Sequence, residues 1–102
     1  MPNVLLSHQA EIDLEDVWCF IAKTDTHTAD SVLDQIAKES KTLALQPLMG
    51  RARSDLQAKL RWWPSSTSFA IYYLPGDHCI TVVRVLHQSM DINSKNFDSG
   101  LN

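Results

Sequence analysis

No stretch of this 102-residue chain approaches the ~18 consecutive apolar residues of a membrane-crossing helix. The opening residues, Met1-Pro2-Asn3-Val4-Leu5-Leu6, lack the basic region and long apolar core of a secretory signal, so a cytoplasmic protein with no membrane partner is expected. Cysteine is scarce. Cys19 and Cys79 lie far apart, neither in a Cys-x-x-Cys pair, and read as two reduced thiols. His8, His27, His78 and His87 are scattered without the paired spacing of a zinc site, and neither a metal nor a cofactor is expected. A basic surplus is also lacking: nine Lys and Arg face twelve Asp and Glu, for a net charge of −3. Proteins that grip nucleic acid through its phosphates carry a basic surface, so direct nucleic-acid binding is not expected. Internal repeats and low-complexity segments are missing too, and the length suits one domain over 1–102, with 92–102 as a polar C-terminal tail.

What is present is patterned apolar sequence. Asn3 to Leu6 suits a short first strand, and Ser7 is placed to cap a helix, its hydroxyl accepting from a free backbone N–H. Ala10, Leu14, Val17, Trp18, Ile21 and Ala22 then recur at helical spacing. Glu11, Asp13, Glu15 and Asp16 crowd the positive end of that helix dipole and read as a solvated face. After a break at 23–27, Thr26 or Thr28 can cap a second helix. Its stripe is Ala29, Val32, Leu33, Ile36, Ala37, Leu43 and Ala44, and Gln46-Pro47 ends it. The short link predicts an antiparallel helix hairpin.

Residues 48–56 read as a connector in which Gly50 permits a turn. Ala58 to Trp63 reads as a strand, with Leu60 and Trp62 on one side and Arg61 and Trp63 on the other. Phe69 to Leu74 and Cys79 to His87 are β-rich runs around Pro75-Gly76-Asp77, where Gly76 is suited to the positive φ of a tight reversal. Simple alternation in the last strand puts Ile80, Val82 and Leu86 on one face and Val83 and Val85 on the other. A strand apolar on both faces belongs inside a sheet with cover on each side. The resulting class is α+β: an antiparallel helix hairpin packed on a small, mainly antiparallel sheet, in the order β-α-α-β-β-β. The helices cover one sheet face. With no spare element for the other, that face is expected to be left for a partner protein.

Arg84 lies inside the apolar last strand, where a guanidinium needs a carboxylate or carbonyls; Asp91 or a helix carboxylate is the expected partner. Arg51, Arg53 and Arg61 gather near Trp62 and Trp63 as a basic, aromatic cluster. His87 reads as structural rather than catalytic.

Several segments taken together resemble the ParE branch of the RelE/ParE superfamily, toxins of bacterial type II toxin–antitoxin pairs. They are Ser7…Ala10…Asp13-Leu14…Val17-Trp18…Ile21-Ala22, Leu45…Pro47-Leu48-Met49-Gly50-Arg51-Ala52-Arg53…Asp55-Leu56, Leu60-Arg61, Ile71-Tyr72-Tyr73 and Val83-Arg84-Val85-Leu86-His87-Gln88-Ser89-Met90-Asp91. The resemblance implies a toxin that poisons DNA gyrase without catalysing a reaction. It also implies a small ParD-like antitoxin whose disordered segment wraps the toxin. RelE-like relatives are instead ribosome-dependent mRNA endoribonucleases. The tail here offers His87, Asp91 and Lys95 without an arginine or tyrosine cluster, and with the acidic net charge this favours the gyrase reading. Family members often carry Arg where this chain has Met90, which leaves an inactive antitoxin-binding relative as a third reading. The candidate contact residues for antitoxin or target are Arg51, Arg53, Arg61, Trp62, Arg84, His87 and Asp91; none is assigned a catalytic role.

Overall fold

In the computed structural model, residues 3–90 are described, and they form two helices on one five-stranded sheet. The elements are β1 (Asn3–Leu6), α1 (His8–Ala22), α2 (Thr26–Leu45), β2 (Arg51–Ala52), β3 (Arg61–Pro64), β4 (Phe69–Gly76) and β5 (Cys79–His87). The spatial order is β1-β5-β4-β3-β2, with β1 parallel to β5 and every other pair antiparallel. The α+β class and the helix hairpin are as the sequence predicts, and β5 lies inside the sheet. Asp91 and the tail 92–102 lie outside the described residues.

Each helix begins at a side-chain acceptor. Ser7 Oγ accepts from the Ala10 N–H at 3.0 Å. Its own proton goes to the Val83 carbonyl at 3.0 Å, while the Ser7 N–H donates to Val82 O at 2.9 Å. One residue therefore ends the β1 ladder and starts α1. The second cap is Asp25, not Thr26 or Thr28: its carboxylate accepts from the His27 N–H at 3.0 Å and the Thr28 hydroxyl at 2.8 Å. A carboxylate beside the positive helix end is the stronger acceptor, and the threonine hydroxyl serves it as a donor. Gln46, just before Pro47, closes α2 as expected.

Alternation in β5 is broken by a bulge. Tyr73 pairs with Val82 but Tyr72 pairs with Arg84, so Val83 has no cross-strand partner. One extra residue reverses the facing of everything beyond it. Ile80, Val82 and Val85 thus join the helix-side core with Ile71, Tyr73, Ile36 and Leu43, whereas Val83 and Leu86 face the other way. This corrects the simple-alternation assignment of Val85 and Leu86. The hairpin is also tighter than the sequence suggests. Pairing runs to Gly76 opposite Cys79, and the positive φ, 55°, falls on His78 rather than on a glycine.

The second sheet face is not bare. Leu56 and Leu60 fold back from the connector and pack with Ala70, Tyr72 and Leu86 in a second buried cluster, with Trp62, Leu74 and Val83 at its margin. The expectation that a partner must cover this face is overturned, because a segment without regular structure supplies two leucines. The connector holds β2, and β3 starts at Arg61 rather than Ala58. The turn before β2 is pinned. Tyr73 Oη donates to Pro47 O at 2.8 Å and accepts from the Gly50 N–H at 2.9 Å, while the Arg61 guanidinium donates to the Leu48 and Gly50 carbonyls. Gly50 is required by close approach: an added Cβ would sit 2.5 Å from Tyr73 Oη.

Two carboxylates tie helices to the sheet. Asp13 is buried, not solvated. Its side chain accepts from Arg84 Nε at 2.8 Å and Nη2 at 3.1 Å and from the Val85 N–H at 3.0 Å. Glu39 of α2 accepts from Trp63 Nε1 at 2.9 Å, Gln35 Nε2 at 2.8 Å, and the Ser65 and Ser66 hydroxyls at 3.1 and 2.8 Å. Burial raises the Glu39 pKa, but these donors outweigh it and hold the group below its ordinary 4.5.

Asp13→Ala is expected to cost about 3–5 kcal/mol in urea unfolding, because it removes the buried carboxylate that Arg84 and the Val85 N–H share. The Asp13→Leu/Arg84→Met pair should recover part of that loss, the Val85 N–H still lacking its acceptor. A depressed carboxylate pKa contributes stability that is present above the unfolded value and lost as pH falls through the folded one. Glu39→Gln should therefore lose less stability than the wild type between about pH 7 and about pH 3, measured by urea midpoints.

Candidate functional site

The cross-strand register assembles a row that the linear sequence conceals. Arg51 pairs with Trp62, Trp62 with Tyr72, and Tyr72 with Arg84. Directly paired residues share a sheet face, so these four form one rung across β2, β3, β4 and β5 on the face away from the helices. Trp62 and Tyr72 are also hydrogen-bonded through their side chains, and burial pushes the Tyr72 phenol above its ordinary 10.0. The phenol is thus a proton-bearing group at neutral pH. Three of the sequence-derived candidates, Arg51, Trp62 and Arg84, fall on this rung. Tyr72 was not among them; its place in Ile71-Tyr72-Tyr73 was visible, but its register was not.

The arginines differ in what holds them. Arg84 is clasped by Asp13. Arg53 makes a two-pronged contact with Asp55, Nε to Oδ1 and Nη2 to Oδ2, each at 3.1 Å. That contact raises the Arg53 pKa and lowers that of Asp55. Arg61 lies on the helix face opposite Tyr73, committed to the carbonyls of the 48–50 turn. Arg51 is exposed. His87 does not join the rung. It pairs with Phe69, which packs on the helix-side core, and its ring meets Phe69 edge-on at 5.3 Å. Its Nδ1 is engaged locally by the Ser89 backbone N–H and hydroxyl. Asp91 lies outside the described residues. Among the described residues, no three His, Cys, Asp or Glu side chains converge on a metal position, and no helix is long and apolar enough to cross a membrane.

Exposed apolar side chains gather at the β1 edge of the sheet and at the far end of α2. Among the described residues β1 ends the sheet and its outer edge has no strand neighbour, and Leu5 and Leu6 are 55% and 42% exposed there. Beside it opens a cavity of ≈ 200 Å³ lined by Val4, Leu6, Leu14, Leu33, Ile36 and Val85, among others. Leu14 and Leu33 continue into a shallower apolar depression with Trp18, whose indole donates to Asp30 at 2.8 Å. A second exposed group, Leu45, Leu48 and Met49, caps the far end of α2.

Residues 4–92 match the family described as ParE toxin of the type II toxin–antitoxin system parDE. The chain is 31% identical over 90 residues to Toxin ParE1 of Mycobacterium tuberculosis, spanning 87% of this chain and 92% of that protein. It is 30% identical over 87 residues to Toxin ParE1 of Caulobacter vibrioides, spanning 84% and 88%. Its fold is similar to a solved structure titled as a chromosomal ParDE system from P. aeruginosa. The TM-score there is 0.69 at 16% identity, over 85% of this chain and 96% of that one.

Proposed function

The chain belongs to the ParE toxin family of type II toxin–antitoxin systems, and from that premise we propose that it arrests growth by binding DNA gyrase, catalysing nothing itself, and is silenced when an antitoxin segment fills the groove beside β1. The observation that carries the non-catalytic reading is a separation. RNA cleavage needs a proton acceptor, a proton donor and cations around one phosphate. Here His87 and the arginine–aromatic rung lie on opposite faces of the sheet. On the rung itself Arg84 is already occupied by Asp13, and the neighbouring Arg53 by Asp55. Such an arrangement suits a surface that holds a protein better than a site that turns over.

The antitoxin reading rests on the free β1 edge and the groove next to it. An extended chain can pair with an unpaired strand edge while its apolar side chains enter an adjacent pocket. A segment that is disordered alone would lose conformational entropy on binding, and burial against Leu6, Leu14 and Leu33 would offset that loss.

Induction of the chain should arrest growth with gyrase-cleaved DNA and intact messenger RNA. Cut messenger RNA would select the endoribonuclease reading, and antitoxin capture without arrest would select an inactive relative in which Met90 replaces a functional arginine. In the groove, Leu6→Glu should weaken capture by the cognate antitoxin about tenfold or more in calorimetry, with little change in the unfolding midpoint because Leu6 is already half in water.

A further inference from the structure

We propose that the turn from Leu45 to Arg51 is the surface with which this toxin holds its target, and that the matching surface is a protein one: an apolar depression edged with carboxylates. The inference rests on reading the chain as a poison that acts by binding. It goes further by naming the contact and the chemistry that contact requires.

The first argument is exposure. Leu45 and Leu48 are 62% and 69% exposed and Met49 is 37% exposed, a concentration of large apolar side chains in water within one short turn. The second is rigidity. A turn that displayed leucines by accident would have no reason to be fastened, yet this one is held at both ends. The buried Tyr73 hydroxyl bridges Pro47 O and the Gly50 N–H, and Arg61 holds the Leu48 and Gly50 carbonyls from the neighbouring strand. Gly50 permits the approach because any Cβ would meet the Tyr73 ring. A projection already ordered in the free protein loses little entropy when it docks, which is how small contact surfaces reach useful affinity.

The third argument is charge. Over 46–63 the basic residues are Arg51, Arg53, Lys59 and Arg61, and the one carboxylate is Asp55, which Arg53 already engages. A chain of net charge −3 therefore carries its basic excess around this turn, with Arg51 and Lys59 exposed. An acidic rim on the partner complements that distribution and steers encounter. A nucleic acid would meet the arginines, but its phosphates offer nothing to two leucines and a methionine. The stacking groups it would need, Trp62 and Tyr72, are drawn into the second core.

The turn is distinct from the groove. β1 and β2 are the two opposite edges of the sheet. The two surfaces meet along α2, where Ser40 and Lys41 line the groove and Leu45 begins the turn. An antitoxin chain leaving the groove along α2 would therefore run onto the turn and exclude the target by bulk, while keeping its own anchorage elsewhere.

The test uses the full chain, produced with its cognate antitoxin and carrying Leu48→Asp, Arg51→Glu or Leu45→Ser. Three readouts are taken: growth arrest on induction, capture by the purified antitoxin, and the urea unfolding midpoint. Leu48→Asp and Arg51→Glu should each raise the induction needed for arrest about tenfold or more, with antitoxin capture and unfolding midpoint near wild type. Leu45→Ser, a milder change at an exposed position, should show the same direction. Arrest by Leu48→Asp at wild-type levels overturns the proposal. Loss confined to Arg51→Glu also overturns it, since that pattern marks a phosphate contact. Arrest and antitoxin capture lost together in a folded variant overturn it as well, because the turn would then belong to the antitoxin, and so does a wild-type chain that arrests nothing. If the wild type arrests without gyrase-cleaved DNA but Leu48→Asp does not arrest, the gyrase reading fails and the contact surface stands.

Discussion

The buried Asp13 carboxylate is the joint on which the arrangement depends. β1 runs beside only the first part of β5, pairing Asn3 to Leu6 with Cys79 to Val82. Beyond Val82 the β5 edge would be open, with backbone groups unpaired in a partly buried place. Ser7 takes the Val83 carbonyl and Asp13 takes the Val85 N–H, so the first turns of α1 complete what β1 leaves unfinished. The Arg84 guanidinium then meets that carboxylate at 2.8 Å, so the buried group has an ion partner as well as a backbone donor. The bulge at Val83 sits in the same place, where the strand changes neighbour from β1 to α1. Helix position, strand register and the facing of Val85 and Leu86 are therefore consequences of one local device.

That device also shows where sequence reasoning reaches and where it stops. Periodicity marked both helices, the helix break, the β5 run and the α+β order, because each depends on burial repeated along one segment. Ser7 was legible as a cap for the same reason: its acceptor role is local. Asp13 was not. Four acidic residues near a helix start look alike in sequence, and only the register of a strand about seventy positions later singles one out. The need of Arg84 for a carboxylate was legible, since an arginine in an apolar strand requires one, while the identity of that carboxylate was a property of the tertiary fold. The second cap misled for a related reason. Thr26, Thr28 and Asp25 all offer oxygens, and the carboxylate prevails through electrostatics that a pattern of residue types does not rank.

The candidate site was legible in its parts but not in its assembly. Arg51, Trp62 and Arg84 were visible as residues that can contact a partner. That they line one rung with Tyr72 follows from antiparallel pairing across three strand junctions, and one bulge decides which β5 residue takes part. Arg53 and Arg61 showed charge in the sequence but not its commitment, the one to Asp55 and the other to the carbonyls of the 48–50 turn. His87 illustrates the opposite case. It is close to Arg84 along the chain, yet its pairing with Phe69 carries it to the other face of the sheet.

The placement of apolar surface carries the strongest functional consequence. A sheet with two apolar faces predicts an outside partner for one of them. Leu56 and Leu60, in a segment with no regular structure of its own, supply that cover instead. The second sheet face is thereby covered without a partner, and exposed leucines gather at the β1 edge and at the turn before β2. A toxin that covers its own sheet keeps those core residues out of water when its antitoxin is removed. Had the second face been open, loss of the antitoxin would have exposed core residues and favoured aggregation over target binding. Sealing the sheet internally while leaving leucines on its edges separates the requirements of folding from those of recognition.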